Sequence, residues 1–160
     1  MAKNKEEKTN VMRTLDQKKI PYTAHSYDPG GPIDGVSVAQ TLGQPPEQVF
    51  KTLVTKGASG AYYVFDIPVA ENLDLKKAAK AVGEKSVAML PQKELLPLTG
   101  YVHGGCSPVG MKKQFPTVFH ETAPLYGAIC VSAGKIGHQV ECDPNALIAL
   151  LRAKTADVIV

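Results

Sequence analysis

The sequence predicts an α+β protein in which helices pack outside a mixed, curved sheet of about seven strands. Two observations lead there. Segments rich in β-branched and aromatic residues do not alternate strictly with helical ones, which argues against a doubly wound parallel sheet. Two adjacent strand-like segments, QVFKTLVTK and AYYVFDIP, are separated only by GASG, which reads as an antiparallel hairpin. The 160 residues are 44% hydrophobic and 21% charged, enough to bury one core, and neither a repeat nor a linker divides them. One domain over residues 9–160 is expected, with residues 1–8 as a solvated lead-in.

The elements follow in order. In TNVMRTLDQKKI, Val11, Met12 and Leu15 recur at helical spacing, with Thr9 or Asn10 as N-cap, and Pro21 ends the helix. YTAHSY reads as a short strand and DPGGPIDG as a loop. SVAQTLG is a helix capped by Ser37 and closed by Gly43. After the hairpin, NLDLKKAAKAVG is a helix with Asp74 near its start and Gly83 at its end. SVAML is a strand, and PQKELLPL opens a helix on a proline suited to a first turn. TVFHE, GAICVSAG and HQVEC are further strands. DPNALIALLRAK is a helix with Asp143 as N-cap and Pro144 in its first turn, and ADVIV finishes as a strand.

Composition narrows the function classes. A net charge of +3 permits contact with a polyanion without arguing for one. Cys106, Cys130 and Cys142 are odd in number, irregularly spaced and without CxxC pairs, so reduced thiols in a cytoplasmic chain are expected rather than a disulfide or zinc framework. The charged start MAKNKEEKTN has no apolar core for a signal peptide, and no apolar run approaches the roughly 18 residues of a membrane span.

The chemistry concentrates in GYVHGGCSPVG, Gly100 to Gly110. Cys106 three residues after His103 could be a nucleophile with its base, or a small buried cysteine in a tight turn. The histidines His25, His103, His120 and His138 show no HxH or HExxH spacing, so no metal is expected. The glycines fit neither a Walker loop nor GxGxxG, but they would let backbone N–H groups approach a carbonyl or acyl oxygen closely. An ordinary surface turn is the competing reading. Lys51 is the other unusual residue. Strand alternation places it on one face with Val49 and Leu53, with Phe50 and Thr52 on the other. It either points into a cavity toward a polar ligand or snorkels out from an edge strand.

VFKTLV, NLDLKKAAKAVG, TGYVHGGCSPVGMKK and ICVSAGKIGHQVEC occur in the order seen in the YbaK/EbsC family, which the chain resembles from about Val11 to Val160. These are freestanding bacterial aminoacyl-tRNA deacylases related to the editing insertion of prolyl-tRNA synthetase. The resemblance implies a mixed, barrel-like sheet ringed by helices. It implies hydrolysis of Cys-tRNA(Pro), extending to Cys-tRNA(Cys), without cofactor, and a transient complex with prolyl-tRNA synthetase. Lys51 matches the family's essential lysine. Gly104, Gly105, Ser107, Pro108 and Gly110 match the pocket loop, Tyr27 an aromatic near its mouth, and Ser132 and Gly134 a second substrate-facing turn. Phe50 and Thr52 flank Lys51 as substrate-binding positions. Cys106 stands where the family more often has an aliphatic residue, and Ala133 and Ile136 stand where it has glycine and a basic residue.

In this family the substrate's own thiol is thought to attack the ester, so His103 and Cys106 need not be catalytic. Two alternatives remain open: a deacylase of another mischarged tRNA such as Ala-tRNA(Pro), and a non-catalytic tRNA- or synthetase-binding module.

Overall fold

The computed structural model describes residues 8–160; of the lead-in expected over residues 1–8, all but Lys8 lies outside the described residues. Two sheets form. The smaller orders β1 (Tyr22–Ser26), β7 (His138–Cys142) and β6 (Ile129–Ser132), all antiparallel. The larger orders β4 (Val87–Met89), β2 (Phe50–Gly57), β3 (Tyr62–Pro68), β5 (Thr117–His120) and β8 (Lys154–Ala156). It is mixed: β4, β2 and β3 pair antiparallel, whereas β5 pairs parallel to both β3 and β8.

The mixed α+β class holds, but the barrel does not. Closure would need a continuous ladder between β2 and β6, and only the single bridge Val49–Cys130 joins that edge. β4 covers β2 only from Thr55 onward, so the first half of β2 keeps an open edge. The described residues form eight strands rather than about seven. The last is Lys154–Ala156, not ADVIV. Of ADVIV, Ala156 ends β8 opposite His120, Ile159 bridges Leu73, and Val158 between them is buried by packing.

The helices follow their caps. Thr9 accepts from the Met12 N–H to start α1 (Asn10–Gln17). Asp74 starts α3 (Leu75–Val82), which Gly83 closes, and Asp143 starts α5 (Pro144–Leu151) with Pro144 at its first position. α2 (Gly35–Leu42) begins three residues earlier than a Ser37 cap would place it. Asp34, not Ser37, is its cap, because the Asp34 carboxylate accepts from the Ser37 N–H. α4 (Gln92–Thr99) starts after Pro91.

The larger sheet separates two cores. Alternation along β3 sends Phe65 and Ile67 to one face, where they pack with Ala78 and Ala79 of α3, Val118 and Val158. The other face meets the smaller sheet, α1 and α5 through Phe50, Phe119, Val131, Val140, Leu15 and Leu147. Each such large side chain contributes roughly 1.5–3 kcal/mol by leaving water. Asp66 of β3 belongs to this second face, in register with Thr52 of β2 and Phe119 of β5.

Candidate functional site

A cavity of about 360 Å³ lies along the open edge of β2. Val49 and residues 50–53 of β2 supply one wall, the segment before α2 supplies Tyr27 and Ile33, the 103–106 loop supplies His103, Gly104 and Cys106, and the smaller sheet supplies Ser132 and Gln139. Both faces of β2 reach it because no strand covers this half of its edge. Val54 gives its carbonyl to Leu90 on that side, so alternation turns the backbone groups of Thr52 toward the same open edge.

Lys51 is half-buried here. Burial pushes its ammonium below the ordinary lysine range, and the Glu71 carboxylate opposes that shift. A cation in this state is costly to leave without an anionic or polar ligand. Thr52 Oγ1 donates to Asp66 Oδ1 at 2.6 Å. Asp66 is fully buried, and its Oδ2 has no partner among the described residues. Burial pushes the Asp66 carboxyl up to about 7, with the Thr52 hydrogen bond opposing.

The thiols settle one question left open by the sequence. Cys106, Cys130 and Cys142 are all free and buried. Burial, aided by the nearby Asp66 charge, pushes the Cys106 thiol up to about 12. At neutral pH it is a thiol, not the thiolate that a nucleophile requires. Among the described residues no three His, Cys, Asp or Glu side chains converge to hold a metal.

The 100–110 loop is built in two layers. Gly104 and Cys106 face the cavity. Gly104 adopts φ +88°, a left-handed conformation that glycine takes without strain. Gly105 turns its N–H inward to the Val102 carbonyl, and a Cβ there would stand 3.1 Å from the Ile136 backbone nitrogen. Ser107 is buried and accepts from the Val109 N–H, while Tyr101 donates its hydroxyl to the Val109 carbonyl. Ser107, Pro108 and Gly110 thus shape the loop from behind and do not line the cavity.

Of the residues singled out from sequence, Tyr27, Phe50, Lys51, Thr52, Gly104 and Ser132 come together around this cavity. Gly134 does not. It lines a larger cavity, of about 510 Å³, between the start of α1 and the Lys135 turn, and is tied to Ser132 by its N–H. That larger cavity gathers none of the other predicted residues, so the smaller one is the candidate site. Sequence reasoning missed Asp66 and the Gln44–Gln139 bond of 2.7 Å that ties the end of α2 to β7. Asp66 carried a readable signal: a lone carboxylate in the apolar run YYVFDIP.

The sequence pattern of the aminoacyl-tRNA editing domain matches residues 34–150. EbsC of Enterococcus faecalis, whose name gives it provisionally as a Cys-tRNA(Pro)/Cys-tRNA(Cys) deacylase, is 48% identical over 160 residues, covering 99% of this chain and 98% of that protein. A protein whose crystal structure is described provisionally as that of a trans-editing enzyme for prolyl-tRNA synthetase superposes with a TM-score of 0.80 at 26% identity, over 94% of each chain. The hypothetical protein APE2540 shares the fold at TM-score 0.86 and 21% identity, over 94% of this chain and 99% of its own. On the match to the editing-domain pattern and the near-full-length identity to EbsC, this chain belongs to the aminoacyl-tRNA editing domain family.

Proposed function

We propose that this chain is a trans-editing aminoacyl-tRNA deacylase that clears Cys-tRNA(Pro), and also Cys-tRNA(Cys), by letting the cysteinyl thiol attack its own ester. The observation that carries the reading is Lys51, a half-buried cation on the open edge of β2, lining a cavity that holds a non-ionised Cys106. Such a site positions and stabilises charge and does not supply a nucleophile of its own.

In this scheme the substrate Sγ loses its proton and bonds to the carbonyl carbon. The ester C–O bond breaks and the 3′ oxygen takes up a proton, freeing the tRNA. The cyclic thiolactone released is opened by water to cysteine. Lys51 orients the ester or the terminal adenosine and balances the charge on the leaving 3′ oxygen. Gly104 and its loop, held by Gly105, Ser107, Pro108 and Gly110, present backbone donors to the acyl group. Tyr27, Phe50, Thr52 and Ser132 shape the surrounding wall, and Gly134 supports the Ser132 turn. Residues 9–160 act as one domain in the cytoplasm, in transient complex with prolyl-tRNA synthetase. No helix among the described residues is long and apolar enough to cross a membrane.

The test is deacylation of Cys-tRNA(Pro), Ala-tRNA(Pro) and Pro-tRNA(Pro) beside Lys51→Ala. Loss of the cysteinyl ester alone is expected, with Lys51→Ala slower by about 100-fold, the scale of removing one charge-stabilising donor. Full activity in Lys51→Ala would overturn the role of the lysine. Loss of the alanyl ester would move the protein to another specificity.

A further inference from the structure

Behind one wall of the cavity lies a carboxyl group, Asp66, that the deacylase reading leaves unused. Thr52 lines the cavity and spends its one hydroxyl proton on Asp66 Oδ1, 2.6 Å away. A hydroxyl has one donor and two acceptor lone pairs. With its proton committed inward, Thr52 can meet a ligand only as an acceptor.

Behind it, the Asp66 carboxylate is fully buried and lacks a counter-charge. Three elements pack against it. β2 offers Thr52, β5 offers the apolar Phe119 in register, and the 100–110 loop brings the Cys106 thiol close enough to feel its charge. None supplies a cation, and Asp66 Oδ2 finds no donor among the described residues. A buried carboxylate left so is destabilising, and an apolar side chain would fill the same strand position at less cost. The arrangement is explained if the missing positive charge arrives with the ligand.

We infer that the Thr52–Asp66 pair recognises the α-ammonium group of the aminoacyl ester, Thr52 Oγ1 accepting its hydrogen bond and Asp66 holding Thr52 in that orientation. This rests on the deacylase reading above. Asp66 is a positioning residue, since it acts through Thr52. The ester offers other donors, the thiol and the ribose 2′-hydroxyl, but only the ammonium also supplies the charge that Asp66 lacks. Because burial raises the Asp66 carboxyl to about 7, that charge is only partly developed in the empty site at neutral pH, and an arriving cation would complete it.

The test compares Cys-tRNA(Pro) with 3-mercaptopropionyl-tRNA(Pro), which keeps the thiol and the ester but lacks the amine. Single-turnover kcat/KM is measured for the unsubstituted protein and for Asp66→Asn, Thr52→Val and Thr52→Ser, each checked for folding by circular dichroism. Removing the amine should slow the unsubstituted protein by about 10- to 100-fold, the scale of one hydrogen bond to a charged group. Thr52→Val and Asp66→Asn should lose that preference and treat the two esters alike, while Thr52→Ser keeps it. A preference retained in folded Asp66→Asn or Thr52→Val, or absent from the unsubstituted protein, would overturn the inference while leaving the deacylase reading standing. No turnover of Cys-tRNA(Pro) by the unsubstituted protein would overturn both.

Discussion

Asp66 should make the protein less stable as the pH rises, and Asp66→Asn should remove that loss. Its carboxyl is raised from 3.8 to about 7 in the fold, first by burial, with the Thr52 hydrogen bond opposing. The folded chain therefore holds this proton more tightly than the unfolded chain does. Below about pH 4 both states are protonated and Asp66 is neutral to stability. Between pH 4 and 7 the unfolded state gives up the proton first, so the folded state loses ground until the folded carboxyl also ionises. That difference in proton affinity corresponds to about 4 kcal/mol in total, of which about 3 kcal/mol falls between pH 5 and pH 8. The amide introduced by Asp66→Asn does not titrate. It carries a constant penalty for the N–H groups placed where Oδ2 has no partner, and that penalty is the same at every pH. The assay is urea unfolding at pH 5, 6, 7 and 8, followed by circular dichroism because the chain has no tryptophan. The stability of Asp66→Asn relative to the unsubstituted protein should climb by about 3 kcal/mol across that range and level off above pH 7. Parallel stability curves for the two proteins would refute the reasoning, because they would mean that Asp66 ionises in the fold as it does in water.

Two further outcomes test the loop. Gly105→Ala places a Cβ 3.1 Å from Ile136 N and 3.4 Å from Lys135 C, both backbone atoms that cannot swing aside. It should cost about 1–3 kcal/mol in urea unfolding and displace the neighbouring Gly104 enough to impair deacylation, whereas an unchanged midpoint would show that the 135–137 turn yields freely. Cys106→Ala should keep deacylation within about threefold, because a thiol raised to about 12 does not act as a nucleophile at neutral pH. In the unsubstituted protein the Cys106 thiol should also react slowly with a neutral disulfide reagent, and its rapid labelling would contradict its burial.

Much of the fold could be read locally. The caps Thr9, Asp74 and Asp143 start their helices because each side chain meets orphaned N–H groups of its own first turn. The GASG hairpin joins neighbouring strands, so its pairing needed no distant partner. The division into two sheets was not legible, since it depends on which non-neighbouring strands meet: β5 runs parallel to β3 although α3, β4 and α4 lie between them in the chain, and β1 pairs with β7 from the far end. ADVIV misled because an apolar run can be buried by packing as well as by pairing, and Val158 takes the first route. Lys51 stood out as a lysine in an apolar strand, and its cavity follows from β4 stopping short along β2. Around it, sequence grouped Gly104 with Ser107, Pro108 and Gly110 as one lining, whereas the loop folds so that the last three support it from behind. Whether a loop residue faces a cavity or backs it depends on turns such as the Gly105 N–H to Val102 bond, which spacing does not encode.

The central claim is that the substrate, not the protein, supplies the nucleophile. The measurement that tests it most directly is the deacylation rate of Cys-tRNA(Pro) against its S-methylated and seryl counterparts, under identical enzyme and tRNA concentrations. The cysteinyl ester should be cleared while the S-methyl and seryl esters survive close to their spontaneous rates. Comparable clearance of all three would contradict the claim and require a water-activating group in the Lys51 cavity.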